Sequence, residues 1–324
     1  MSRNPPEVKA PVRWRPMMLE ARIRSAAVWL LLVTALATVG SPAQAQQLIM
    51  LGQYGLLGGT TPPPGVYVGG FGYNLNTDEL KTPDGSALHG PEFNQWVFGL
   101  VAEVVTPWKV IGADYGAAVA VPWANIRMDF PRLGFDHSTG VGLSQLWVVP
   151  VMLGWHLPRA DLTVHYAFYP PTGNYSPGAS NNTALGMWTN EFSARGTYYF
   201  DQDRRWHASL SAFYDINGKK QDTDYTQGNP LTLMGGAGGN YGDGWYFGWA
   251  GIVGYAQWQL TSTTGSDVPL PVANNKTQIY AVGPEITTLE GALTLRYEWQ
   301  FGGRFSTQGG TFYGQFVMPV KLFK

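Results

Sequence analysis

His207-Ala-Ser209 is the arrangement in this chain that comes nearest to a reaction centre. Side chains two apart on a β-strand share a face, so an imidazole there could take the hydroxyl proton and activate the serine oxygen. The plain alternative is two ordinary strand residues. The other polar side chains that could do chemistry lie far apart: Glu103, Asp114, Asp161, His165, Glu191, Arg195, His207, Asp215, Glu285, Arg296 and Glu298. Their spacing matches no metal or phosphate motif. There is no cysteine among the 324 residues, which excludes disulfide frameworks and thiolate zinc sites. The five histidines are not spaced as a ligand set. Asp222 and Asp224, in Gly218–Pro230, could touch calcium or lipopolysaccharide-bound cations, or form a solvated loop tip. No catalytic, cofactor-binding or metal residue is therefore assigned, no cofactor is expected, and the chain reads as a non-enzyme.

The elements that position these residues alternate apolar and polar side chains. In Ala292–Phe301, Leu293, Leu295, Tyr297, Trp299 and Phe301 point one way and Thr294, Arg296, Glu298 and Gln300 the other. Twelve such segments are expected. The first six are Val66–Asn76, Phe93–Val105, Asp114–Trp123, Leu143–Trp155, Ala160–Tyr169 and Thr189–Phe200. The second six are Trp206–Asn217, Leu231–Asn240, Trp245–Leu260, Thr277–Thr288, Ala292–Phe301 and Thr311–Phe323. Between them short connections (Thr106–Ala113, His156–Arg159, Asp201–Arg205, Tyr241–Gly244, Leu289–Gly291) alternate with long ones. The long ones are Thr77–Glu92, Ala124–Gly142, Pro170–Trp188, Gly218–Pro230, Thr261–Lys276 and Gly302–Gly310. Leu231–Asn240 is assigned by parity, because its glycines obscure the alternation.

That parity distinguishes a transmembrane β-barrel from a soluble sandwich. The fold expected is all-β: a twelve-stranded antiparallel transmembrane barrel with short periplasmic turns and long extracellular loops. Composition agrees. Charged residues are 13% of the chain against roughly 25% in soluble domains, aromatics are 14%, and there are 41 glycines. At the N-terminus, Arg22 and Arg24 precede the apolar run Ala26–Val39, and Ala43-Gln44-Ala45 supplies a small-residue cleavage site. Met1–Ala45 is therefore read as a signal peptide cut after Ala45, with Met17 or Met18 as alternative starts. Its removal takes away six Lys/Arg and two Asp/Glu, leaving 15 positive against 20 negative side chains. Nucleic acid is not expected as a partner, since phosphate binding needs clustered positive charge. Gln46–Gly65, ending in Pro62-Pro63-Pro64, is either a segment tucked into or beneath the lumen or a free periplasmic tail; 66–324 is the barrel.

Alternation puts all eleven titratable residues named above on the lumen side. An Arg or Lys facing lipid at mid-depth would cost about 2–4 kcal/mol, so their shared phase supports the strand assignments. They either line a selective pore or pair across strands to fill a narrow barrel; Glu191 with Arg195 and Arg296 with Glu298 suit such pairing. Tyr169, Tyr199, Phe213 and Tyr313 share that phase as stepping points for an aromatic solute or as packing beneath the loops. Trp96, Phe98, Tyr115, Trp123, Tyr297 and Trp299 fall on the lipid phase, as girdle residues should. The last strand places Phe312, Phe316, Met318, Val320 and Leu322 on one face, near the alternating C-terminal pattern of barrels handled by the assembly machinery. Phe323 and Lys324 depart from the usual aromatic end.

Several blocks carry a family resemblance. They are Gln145–His156 (Q-L-W-V-V-P-V-M-L-G-W-H), Tyr166–Tyr175 (Y-A-F-Y-P-P-T-G-N-Y), Gly254-Tyr-Ala-Gln-Trp-Gln259 and Ala281-Val-Gly-Pro-Glu285. In this order they resemble the outer-membrane family named for the meta pathway of phenol degradation, often called transporters. The resemblance implies a barrel that admits small hydrophobic or aromatic solutes and supplies no binding residues. The expected function is passive uptake of such compounds across the Gram-negative outer membrane, among lipid and lipopolysaccharide. The rival expectation is a structural or adhesive barrel with a blocked lumen. A lipid hydrolase is a third, because a twelve-stranded outer-membrane phospholipase uses a His-x-Ser pair. In that enzyme the pair is followed by Asn-Gly where this chain has Leu210-Ser211, and it faces lipid.

Overall fold

The computed structural model describes residue 51 and residues 53–131 and 134–323; the expected signal peptide and Lys324 lie outside them. Twelve strands build the wall. They are β1 (Gly65–Lys81), β2 (Ala87–Val110), β3 (Ala113–Phe130), β4 (Trp147–Leu157), β5 (Ala160–Tyr169) and β6 (Met187–Tyr199). The ring continues with β7 (Trp206–Lys220), β8 (Pro230–Tyr241), β9 (Gly248–Gln259), β10 (Gln278–Thr288), β11 (Leu293–Arg304) and β12 (Ser306–Leu322). Every strand pairs antiparallel with its two neighbours in sequence, and β1 closes the ring by pairing with both β2 and β12. Gly65 stands opposite Leu322 and Tyr73 opposite Tyr313, so the first and last strands begin and end at the same rim. Among the described residues no helix is long and apolar enough to cross a membrane; the crossing elements are strands.

Alternation in the sequence becomes alternation in burial. Along β11, Arg296, Glu298 and Gln300 are buried while Tyr297, Trp299 and Phe301 are exposed. The apolar face points outward, which is the reverse of a soluble protein and what a lipid solvent requires. Trp96, Phe98, Tyr297 and Trp299 are exposed on it. Trp123 stacks on Phe98 at 6.3 Å, and Tyr115 donates to the Pro150 carbonyl.

The glycine-rich β8 is paired along its length, Leu231 through Gly239 with β7 and Pro230 through Tyr241 with β9. Its glycines have a packing reason. A Cβ on Gly238, or on Gly251 of β9, would come within 2.9 and 2.7 Å of the Leu56 side chain inside the barrel.

Several boundaries differ from expectation. The expected turn Thr106–Ala113 shrinks to Ile111 and Gly112, both at positive φ (46° and 83°), because Lys109 and Val110 still pair with Asp114 and Ala113. At the opposite rim Thr77–Glu92 and Gly302–Gly310 are mostly strand, joined only by residues 82–86 and by Phe305. Polar composition there marked solvent and not irregular backbone, since a hairpin standing clear of the membrane is polar on both faces. Part of Ala124–Gly142 is likewise strand: β3 runs on to Phe130 and pairs back on Phe135–Ser138. Above Trp299 and Gly310 the β11–β12 ladder ends, and the Gln300 side chain takes over, its carbonyl accepting from Gly309 N–H at 3.0 Å.

Two long loops are clamped together through Asp224. Its carboxylate pairs with Lys219 at 2.9 Å and accepts from the Ser266 N–H and hydroxyl at 2.8 and 2.9 Å, while Asp267 accepts from the Asp224 N–H at 2.6 Å. These donors hold the Asp224 carboxyl well below the usual carboxylate range. A depressed folded-state pKa means the contribution is complete above the ordinary Asp value of about 3.9 and is lost as pH falls toward the folded value. Protease cleavage between residues 261 and 277 should therefore stay flat from neutral pH to about pH 4 and rise only below it. Asp224→Asn should raise cleavage at every pH.

Ile252, mid-strand on β9 and 57% exposed, tests the orientation of the wall. Ile252→Arg should lower unfolding stability in phospholipid vesicles by about 2–4 kcal/mol, and the same change at Trp206, beside a turn, by about 0–1 kcal/mol.

Candidate functional site

Residues 53–61 lie inside the barrel. Starting from Pro62-Pro63-Pro64 at the short-turn rim, the chain leads back up the lumen, and its backbone is bonded to the wall on several sides. Leu56 N–H donates to Glu285 Oε1 (3.1 Å) and Gly59 N–H to Thr197 Oγ1 (3.0 Å). The Gly59 carbonyl accepts from Thr163 Oγ1 (2.8 Å), the Gly58 carbonyl from Arg195 Nη1 (3.1 Å), and the Gly55 carbonyl from Ser209 Oγ. At the rim Thr60 donates to Asp161 Oδ2 (3.0 Å), and Thr61 meets His156 Nε2 at 3.3 Å.

Such close approach requires glycine. A Cβ on Gly59 would overlap the backbone of Gly196 and Thr197, and one on Gly55 would strike the Glu285–Arg296 ion pair. Larger residues of the segment use the remaining space. Leu51 and Leu56 are buried, and Tyr54 stacks on Phe213 with ring centroids 5.0 Å apart.

Fourteen of the fifteen residues placed on the lumen phase are buried, and Glu103 is half-buried. Twelve of them gather in three groups. Toward the short-turn rim, Asp161 accepts from Tyr199 (2.7 Å) and Thr60 and meets His156 at 3.1 Å, with Arg204 at 3.4 Å. Asp114 pairs with Lys109 at 2.5 Å. On β5–β7, Glu191 accepts from Tyr169 (2.9 Å) and meets His165 at 2.8 Å, with Asp215 opposite it in register and Phe213 beside His165. On β10–β12, Arg296 binds Glu285 through Nε (2.7 Å) and Nη2 and lies over the Tyr313 ring at 5.4 Å, while Glu298 is buried on the same face.

Two expected pairings are replaced. Glu191 partners His165, and Arg195 partners the Gly58 carbonyl and the Tyr54 ring. Arg296 partners Glu285 on the neighbouring strand, not Glu298 on its own. Glu285 stands directly opposite Arg296, nearer than Glu298 two residues along, whereas Glu191 and Arg195 are four residues apart on one strand and each finds a nearer partner. The His207–Ser209 pair is not assembled: the Ser209 hydroxyl donates to Gly55, and neither His207 ring nitrogen has a partner. Sequence reasoning did not single out Tyr54, Thr60, Thr61, Thr163 or Thr197. The signal available was the spacing of Gly52, Gly55, Gly58 and Gly59, which marks a backbone meant to lie against another.

Geometry thus defines a twelve-stranded barrel of the outer-membrane type, with a polar, ion-paired lumen entered by its own N-terminal segment. The chain belongs to the family described as "Putative MetA-pathway of phenol degradation", whose model matches residues 77–317. Its fold is similar to that of the COG4313 outer membrane channel from Pseudomonas putida F1. The TM-score is 0.67 at 12% identity, covering 83% of this chain and 98% of that one. The β domain of the Bordetella autotransporter BrkA is more distant, with TM-score 0.46 and 11% identity over 80% of this chain and 100% of that one. No match was found among curated proteins.

Because Gly59 touches backbone, Gly59→Val should keep the segment from seating while leaving the twelve-strand ladder intact. The expected result is new protease cleavage within residues 53–61 with an unchanged β-sheet circular dichroism spectrum.

Proposed function

We propose that the protein is an outer-membrane channel through which small hydrophobic compounds, aromatic ones among them, diffuse passively, with residues 53–61 controlling passage. One observation carries this reading: an apolar cluster stands inside the polar lumen. Phe213, Met234, Tyr255 and Ile279 pack with Leu51 and Tyr54 on the inner face. A channel serving only small ions has no use for such a surface, whereas a greasy solute needs apolar contact to leave lipid or water for the lumen. Family membership agrees with this substrate class.

The route begins at the long loops, passes the aromatic and polar wall, and ends at the periplasmic mouth near Asp161 and Tyr199. The segment must move aside or be skirted, because it bridges β5–β7 and β10. Export by the leader ending near Ala45, insertion by the barrel-assembly machinery and contact with lipopolysaccharide complete this reading. A blocked barrel whose loops do the work is the second reading, favoured by the same bonds that seat the segment.

Outer-membrane vesicles, whose lipopolysaccharide leaflet retards hydrophobic solutes, separate the two. Vesicles containing the protein should take up labelled alkylbenzenes or phenols several-fold faster than vesicles lacking it, and Gly59→Val should be faster still. Equal rates in all three would defeat the channel and leave the blocked barrel.

A further inference from the structure

Residues 55–59 are held by their backbone atoms, but Tyr54 is held by its ring. Its planes lie 25° from those of Phe213 at a centroid separation of 5.0 Å, and the Arg195 guanidinium carbon sits 4.5 Å from its centroid on β6. Tyr54 is the sole aromatic residue among the described positions of 51–61. Arg195 is buried, makes no ion pair among the described residues, and its Nε has no hydrogen-bond partner. A buried cation with no carboxylate in ion-pair contact is costly, and its near neighbours here are the Gly58 carbonyl, the Met152 sulfur at 3.6 Å and the face of a π system. Phe213 continues the slot toward Met234 and Ile279 on one side and His165 on the other, whose Nδ1 is also unpartnered. The guanidinium and Phe213, side by side on the inner face of β6 and β7, therefore together seat one flat ring.

We propose that the slot in which Tyr54 lies against Arg195 and Phe213 is a binding site for a monocyclic aromatic solute, phenols foremost, and that Tyr54 is a resident ring which such a solute displaces. In chemical terms the tyrosine side chain is a tethered p-cresol, so a space that accepts it accepts free p-cresol. The tether gives the resident ring an effective concentration of roughly millimolar order, so a competing solute must approach that level or bind better. Displacement would also loosen the adjoining Gly55–Gly59 contacts and so couple solute arrival to opening. This last consequence rests on the channel reading; the site itself does not.

Purified full-length Tyr54→Ala in detergent provides the test. Its thermal midpoint should fall, and p-cresol should restore at least half of the loss with a saturable dose response. 4-Methylcyclohexanol, of similar shape but without a π face, should restore little. Phe213→Ala in the same background should abolish the rescue, and wild-type protein should require at least tenfold more p-cresol. Equal rescue by both alcohols, or rescue that survives Phe213→Ala, overturns the site. If Tyr54→Ala does not fold, Gly59→Val serves instead, read by equilibrium binding of p-cresol with the same Phe213 control. Saturable binding without movement across vesicles supports the slot and defeats the channel; movement without saturable binding defeats the slot and leaves the channel.

Discussion

A chain crossing hydrocarbon must pair every backbone N–H and C=O within itself, and a sheet achieves this only by closing. Here β1 is the closing strand, bonded to β2 along one edge and to β12 along the other. Closure with an even number of strands brings Gly65 beside Leu322 at one rim. The chain preceding Gly65 is consequently delivered to the mouth of the lumen, with three prolines between it and the seated segment. A segment so placed needs no long linker to enter, and the entropy of closing so short a connection is small. The occupied lumen is in this sense a consequence of how the sheet closes.

Closure also dictates what the interior must contain. The lipid-facing phase takes the aromatic and aliphatic side chains, so charges fall inward, where water is scarce once the lumen is filled. Each buried polar group then requires a partner, at about 1–3 kcal/mol for one left unmet. Cross-strand pairs meet part of the need, Glu285 with Arg296 and Glu191 with His165. The segment meets more of it, supplying carbonyls to Arg195, Thr163 and Ser209 and N–H groups to Glu285 and Thr197. Wall and segment are thus complementary in hydrogen bonding as well as in shape.

The period-two pattern made the wall readable from sequence, because a strand with lipid outside and charge inside admits one phase. Arg296, Glu298 and Gln300 could face only inward. Even Leu231–Asn240, where glycine hides the pattern, followed from parity. Strand ends past the membrane were not readable: once both faces of a hairpin meet water, as beyond Thr77 and Gly302, alternation carries no signal. Pairing partners were also hidden, since register decides whether Arg296 meets Glu298 or Glu285. The seat of residues 53–61 left no periodic trace because glycine backbone, and not a side-chain stripe, makes the contact.

That use of backbone has an energetic consequence. Five bonds from main-chain atoms of residues 55–59 to wall side chains fasten the segment; net, each is worth about 0.5–1.5 kcal/mol, or about 1.5–3 kcal/mol where Glu285 or Arg195 is the partner, because water replaces it on release. A lumen that opens to solvent on release would resolvate Arg195, Thr163 and Ser209 directly. The sheet, in contrast, cannot exchange its ladder bonds for water at any point within lipid. The two bonding systems therefore differ in cost of rupture: the ladder pairs peptide with peptide within lipid, whereas the segment pairs its peptide groups with lumen side chains. Release of the seated segment would therefore leave the ladder of the surrounding cylinder intact.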